Sequence, residues 1–442
     1  MTDNGKTCDT LLTASYCVTQ NAKREVIKDA AVAIKDGRIV ALGPSSAMQD
    51  WKSNDLRHMG RALIMPGLVN AHTHAAMTFL RGLGDDMPLM EWLEKRIFPV
   101  EAKLTAEIVY TASLMAFAEM LASGTTACLD MYYFTKDVLR AAQQSGIRCM
   151  AGEAVIGFPN AACKTWQESL AVMEELQGDT LAQGRCSLVV SPHAVYTTTP
   201  EILLACRDFA ASHDLPLHIH LSETVDETAR CLETQGKRPV AYLNDLGLLD
   251  LPVTLAHVVD VTEEELDLLA SKPHLAVAHN PSSNMKLASG TAPVPAMLER
   301  GIAVFLGTDG AASNNTLNIF SEMRQCALLH KLVHRDPTVM PAQTVLDMAT
   351  RPGLPGLRAT ACGSLEVGGT ADLIVLDLTA PHMQPLYEPV SHLTYVATGA
   401  EVLLTMVEGE VLFEKGKFAH FDLFALRQEM DKLCAYTRKL VA

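Results

Sequence analysis

No two cysteines in this 442-residue chain are spaced as Cys-x-x-Cys, although eleven are scattered singly from Cys8 to Cys434. That absence removes the zinc-deaminase design in which paired cysteines hold the metal. An odd, unpatterned set suits reduced thiols in a cytoplasm, so any metal is expected on histidine and carboxylate. Positive charge is short as well. The 36 Lys and Arg against 51 Asp and Glu give a net charge of −15, which argues against nucleic-acid or anionic-membrane partners. The N-terminal window lacks the basic start, apolar core and small-residue cleavage site of a secretory signal. No uncharged apolar run reaches the length of a membrane span. Low-complexity tracts and flexible linkers are missing too, which leaves an ordinary cytoplasmic globular composition, 48% hydrophobic and 20% charged.

The length exceeds what one hydrophobic core usually serves, so a large domain plus a smaller one is expected. Residues 8–64 read as short strands, with a hairpin signal at Asp36-Gly37. From Leu63 the rhythm changes to apolar strands alternating with amphipathic helical stretches, the pattern of repeated βα units. Eight strands can be counted: ALIMPGLVNAH, TTACLDM, IRCMAGEAV, CSLVVSPHA, LPLHIHLSE, VTLAHVV, HLAVAHNP and AVFLGTDG. Over roughly 245 residues they fit a (β/α)8 TIM barrel. Helices follow around 318–332 and 341–350, then short strands return, and 424–441 reads as a closing amphipathic helix. The expected division is 1–64 and 361–442 as the two parts of a small β-sandwich built from both termini, with the barrel at 65–360.

In such a barrel the active-site groups sit at the C-terminal strand ends. Those ends carry His72 and His74, Asp130, Glu153, His193, His220 with Glu223, His257, His279 and Asp309. This recurrence decides against an open doubly wound sheet. Side chains alternate along a strand, so His72 and His74 share a side. With His220 and Asp309 they make three nitrogens and one oxygen, a set zinc accepts with a water completing an open site. A binuclear site would need a bridging group such as a modified lysine on the fourth strand. SLVVSPHA has none, so one divalent metal ion, zinc, is expected.

PGLVNAHTH, HIHLSET, LAHVV, HNPSSNMKL and GTDGAAS, in this order, resemble the mononuclear amidohydrolase superfamily over essentially the whole chain. The segment GDDMPLMEWLEKRIFPVEAKL resembles the 5-methylthioadenosine/S-adenosylhomocysteine deaminases within it. The resemblance implies His72, His74, His220 and Asp309 as metal ligands, with Asp309 also taking a proton from the attacking water. It further implies Glu223 as proton shuttle, His257 as the group orienting that water, Glu101 on the ribose hydroxyls, His193 on the purine and Ser313 towards the substrate tail. The implied reaction is hydrolytic deamination of an adenine nucleoside. A homo-oligomer is expected, with a small nucleoside as substrate.

One departure bears on the substrate. Relatives that grip the homocysteine carboxylate often place arginines after the third strand, whereas between Arg148 and Arg185 the only cation here is Lys164. Arginine clamps a carboxylate bidentately and lysine does not, so 5′-methylthioadenosine or adenosine is favoured over S-adenosylhomocysteine. His218 is expected as a packed supporting group and His279 as a strand-end buttress. Asp130 and Glu153 stay unassigned, and Met87, Met90 and Trp92 suit either a lid or ordinary helix packing. The alternatives are an aminohydrolase or chlorohydrolase of another purine, pterin or triazine, which would have no ribose for Glu101, and a degenerate barrel serving as a scaffold, which would lack ligands present here.

Overall fold

The computed structural model describes residues 6–87, 89–351, 353–355 and 363–441. The chain begins with five strands, β1 (Lys6–Val18), β2 (Val26–Lys35), β3 (Arg38–Pro44), β4 (Trp51–His58) and β5 (Ala62–Pro66). The β2–β3 hairpin turns at Asp36-Gly37, both at positive φ, 49° and 73°. Those angles match the right-handed twist of the flanking strands. A side chain at Gly37 would also meet the Glu408 carbonyl at 2.7 Å.

The expected first barrel strand is two strands in two different sheets. β5 stays with the N-terminal strands, the chain crosses at Gly67, and β6 (Leu68–Thr73) opens a parallel sheet. A Cβ at Gly67 would lie 2.1 Å from the Thr126 side chain, so only glycine permits the crossing. The parallel strands follow as β7 (Thr125–Tyr132), β8 (Arg148–Val155), β9 (Cys186–Leu188), β10 (Ser191–Pro192), β11 (Leu217–Leu221), β12 (Val253–His257), β13 (Leu275–His279) and β14 (Ala303–Leu306). The expected fourth strand is thus two short pieces, β9 and β10.

These strands form a five-stranded and a four-stranded parallel sheet. The bridges Val190↔Leu217 and Ala194↔His220 join them on one side. On the other, the Thr308 and Asp309 N–H groups donate to the His72 carbonyl at 3.1 and 3.0 Å. Val69, Ala71, Leu129, Met150, Ala278 and Phe305, drawn from both sheets, share one buried apolar cluster. Helices alternate with the strands, and threonine starts many of them. Thr105, Thr165, Thr199, Thr224 and Thr262 each accept from the backbone N–H three residues on, satisfying an otherwise orphaned donor.

Helices Ile319–His334 and Ala342–Thr350 follow β14, and the chain then returns to the first sheet with β15 (Leu373–Asp377), β16 (Val402–Val407), β17 (Glu410–Glu414) and β18 (Lys417–Phe418). Both termini therefore build one nine-stranded sheet, in the order β18-β17-β16-β15-β5-β1-β2-β3 with β4 beside β1. Leu12, Val32, Ile64, Val375, Leu404 and Met406 share its core. Helix Leu423–Val441 closes the chain. The expected boundary at 360/361 lies outside the described residues. Among the described residues no single helix is long and apolar enough to cross a membrane.

Candidate active site

Three histidines and one carboxylate meet at the C-terminal ends of β6, β11 and β14. Asp309 Oδ1 lies 3.3 Å from His72 Nε2 and 3.2 Å from His74 Nε2, and His74 Nε2 lies 3.2 Å from His220 Nε2. Ligand atoms around a tetrahedral zinc are spaced by about 3.3 Å, given bond lengths of about 2.0–2.1 Å. His257 joins the group, since its ring offers an atom within 4.8 Å of those of His72, His220 and Asp309.

Partners on the far side of each ring fix which nitrogen faces inward. His74 Nδ1 donates to the Met131 carbonyl and His220 Nδ1 to the His193 carbonyl. His218 Nδ1 donates to the Thr254 carbonyl at 3.0 Å, so its Nε2 accepts from His72 Nδ1 at 2.8 Å. Each of the three Nε2 atoms is thereby left with its lone pair turned inward, as metal-binding histidines require. The buried His72 Nε2 makes no hydrogen bond. His218 is the supporting group expected, acting through His72.

The charge balance asks for a cation. Burial works against the ionised form of Asp309, yet His72 and His74 hold it well below the usual carboxylate range. Burial also presses His74 down, but the hydrogen bond and charge of Asp309 outweigh it and lift it to about 9. His72, with the same neighbour, is pushed down to about 4 by burial. One positive charge is thus favoured beside Asp309, a place that a proton on His74 or a cation on the three Nε2 atoms would fill. Ser283 Oγ and Ser313 Oγ each donate to Asp309 Oδ2 at 2.7 Å, while Gly310 N–H donates to Oδ1. The structure therefore gives Ser313 a partner other than the expected substrate tail.

Glu223 follows β11 and is buried, which raises its carboxyl, and the Asp309 charge raises it further. Its Oε2 is 3.8 Å from His257 Nε2, whose Nδ1 donates to Asn284 Oδ1 at 2.8 Å. Glu227, one turn into the helix capped by Thr224, accepts from the Ser222 and Glu223 N–H groups and holds this corner. Strain gathers here. Ser222, His257, Val258 and Asp309 all have φ between 49° and 74°, each costing on the order of 1–3 kcal/mol.

A cleft open to solvent lies over the cluster, with about 660 Å³ of empty space that includes its mouth. Glu101, His193, Tyr132 and Tyr196 line its polar part, and Trp92, Leu93, Ile97 and Phe98 form an apolar wall. Tyr132 Oη donates to Glu101 Oε1 at 2.7 Å. Burial pushes Glu101 up to about 7, against that hydrogen bond and the His74 charge. Met87 packs on the core instead, and the side chain of Met90 lies outside the described residues. No lysine or arginine lines the cavity among the described residues. Asp130 and Glu153 brace loops: Asp130 accepts from Ala75 N–H, and Glu153 from the N–H groups of Phe134 and Thr135. The sequence reading missed Tyr132, Ser283 and Asn284. Tyr132 lies two residues past Asp130 on the same strand, and the two others sit inside the HNPSSNMKL motif, so each had a usable signal.

A model of the amidohydrolase family matches residues 63–412. The chain is 57% identical over 433 residues to a 5-methylthioadenosine/S-adenosylhomocysteine deaminase of Desulfovibrio desulfuricans, covering 98% of each. It is 54% identical over 424 residues to the enzyme of that name from Nitratidesulfovibrio vulgaris, covering 96% of each. Among solved structures, an adenosine deaminase from Xanthomonas campestris with bound zinc matches with a TM-score of 0.93 at 37% identity, over 98% of this chain and 99% of that one. A zinc-complexed atrazine chlorohydrolase from Arthrobacter aurescens shares the fold, with a TM-score of 0.87 at 24% identity over 96% and 100%.

Proposed function

The chain belongs to the amidohydrolase family, and from that premise we propose that it hydrolytically deaminates the adenine ring of 5′-methylthioadenosine, with adenosine and S-adenosylhomocysteine as further candidates. It is a hydrolase acting on C–N bonds, as its deaminase relatives are. The observation that carries the substrate choice is the cavity: a buried carboxylate and a histidine cluster at one end, an apolar wall, and no lining cation among the described residues.

His72, His74, His220 and Asp309 would hold the metal, with zinc as the proposed ion. When bound, such an ion makes water acidic enough, with a pKa near about 7, to supply an attacking oxygen at neutral pH. Asp309, held ionised, accepts a proton from the attacking water. His257, fixed through Asn284, orients that water with its free Nε2. Glu223, whose carboxyl burial raises above its ordinary range, delivers a proton to the ring nitrogen as the oxygen adds to the adjacent carbon. Ammonia then leaves and the inosine product remains. Glu101 accepts from the ribose hydroxyls, and His193 meets the purine.

The architecture belongs to the same proposal. The two parallel sheets, joined on both sides and sharing one apolar interior, are read as a closed (β/α)8 barrel that starts at Leu68 rather than at the expected 65, since Met65 and Pro66 lie in β5, and the sheet of both termini as a β-sandwich folded over its core. Ten cysteines are described, none in a disulfide and nine of them buried, in keeping with the proposed cytoplasmic setting. Homo-oligomeric assembly remains part of the proposal.

The test is a substrate series followed by ammonia release. Methylthioadenosine should show a higher kcat/KM than S-adenosylhomocysteine, whose carboxylate finds no clamp, and adenine and 2′-deoxyadenosine should be poor. Turnover of free bases but of no nucleoside would overturn the reading, and a preference for S-adenosylhomocysteine would overturn its account of the tail.

A further inference from the structure

A second group of metal-binding side chains lies outside the catalytic cluster. His279 ends β13, and Cys326 and His330 stand four residues apart on helix Ile319–His334, so both project from one helix face. Their ligand atoms all lie within 4.8 Å of one another, and all three residues are buried. The His279 and His330 rings are 5.3 Å apart between centroids. None of the four ring nitrogens has a hydrogen-bond partner among the described residues, and each is out of contact with solvent.

Such an arrangement is costly without an occupant. Each neutral imidazole has one N–H to donate and one lone pair to fill, and leaving a buried polar group unmade costs about 1–3 kcal/mol. Ordinary packing would predict at least one partner per ring, as His74, His218, His220 and His257 all have. We propose that His279, Cys326 and His330 form a second, structural site for a thiophilic divalent cation, zinc foremost. Two imidazoles and one thiol suit that class of ion, whereas magnesium and calcium seek oxygen ligands. Ligand atoms about a tetrahedral zinc lie some 3.3–3.6 Å apart, given its bond lengths, so modest side-chain rotation closes the set. A small ligand would fill the fourth position. On binding, the Cys326 S–H bond breaks, a sulfur–metal bond forms and the proton passes to solvent, with no change of oxidation state. The ion would tie β13 to the helix that packs over β14 and β6, stiffening the wall behind His257 without touching the substrate.

A cobalt experiment separates this site from the catalytic one, because only this site supplies a thiolate. Protein stripped of metal and reloaded with Co2+ should show thiolate-to-cobalt charge-transfer absorption in the near ultraviolet. As-purified protein should hold a second equivalent of zinc. Cys326→Ser should abolish the charge-transfer band, and Cys326→Ser and His330→Asn should each lower the zinc content from two equivalents to one while turnover of the nucleoside is kept. Absence of the band from cobalt-loaded wild-type protein overturns the proposal, as does its persistence in Cys326→Ser. The band is read without turnover, so failure of the deaminase reading would not mimic either result.

Discussion

Replacing Tyr132 with phenylalanine removes one oxygen and leaves the ring packing in place, which isolates the hydrogen bond from Tyr132 Oη to Glu101. Burial and the neighbouring carboxylate hold the Tyr132 phenol well above its ordinary range, so it remains a donor throughout the working pH. A hydrogen bond to a charged group contributes about 1.5–3 kcal/mol, and about 1.36 kcal/mol corresponds to one pKa unit. Because the bond favours the ionised form, its loss raises the Glu101 pKa, by roughly one to two units. Starting from about 7, the ionised fraction at pH 7 falls from about a half to about 0.09–0.01, a loss of roughly 5- to 50-fold in kcat/KM. The sign follows: the carboxylate is the form proposed to bind ribose hydroxyls, so the acid limb moves to higher pH and the deficit shrinks to about twofold or less once pH passes about 9. A bound cation lowers the starting value as the His74 charge does, but leaves the direction of the shift unchanged. The assay is kcat/KM for methylthioadenosine from pH 5.5 to 9.5 for wild type, Tyr132→Phe and Glu101→Gln, where the last should lose this limb altogether. A uniform drop at every pH, with no displacement of the limb, would refute the view that Tyr132 tunes Glu101.

Glu223→Gln should keep its metal while losing a factor of about 10²–10⁴ in kcat, and loss of metal on elemental analysis would make Glu223 a ligand instead. Ser283→Ala removes one of two hydroxyl donors to Asp309 Oδ2 and should weaken metal retention about 10- to 100-fold. A chelator titration reads this, and an unchanged midpoint would show that Ser283 does not support Asp309.

Much of the scaffold was legible because alternation of strand and helix leaves a strong mark on a sequence. The helices expected at 318–332 and 341–350 occur at Ile319–His334 and Ala342–Thr350. The hairpin at Asp36-Gly37 was equally plain, since few residues adopt positive φ twice in succession. The run ALIMPGLVNAH misled for a physical reason. A strand change at a single glycine breaks no apolar pattern, because β5 and β6 are both buried on every residue. CSLVVSPHA likewise hid its interruption, since hydropathy carries no record of which carbonyl each N–H finds.

The site shows the same division between chemistry and geometry. Residue type and strand-end position nominated His72, His74, His220 and Asp309, and the structure brings them together. What makes three imidazoles present the same nitrogen is a set of backbone carbonyls, those of Met131, His193 and, through His218, Thr254. Every residue owns a carbonyl, so no sequence pattern can single these out. The argument also runs forward. Among the described residues His279 and His330 have no such carbonyl partner, although they are as deeply buried as the histidines of the candidate site. His72, His74 and His220 are each oriented by protein on one side and turned towards the candidate site on the other. A buried pair left open on both sides, with a thiol within 4.8 Å of both, therefore marks a second place where the described protein groups do not satisfy their own donors and acceptors.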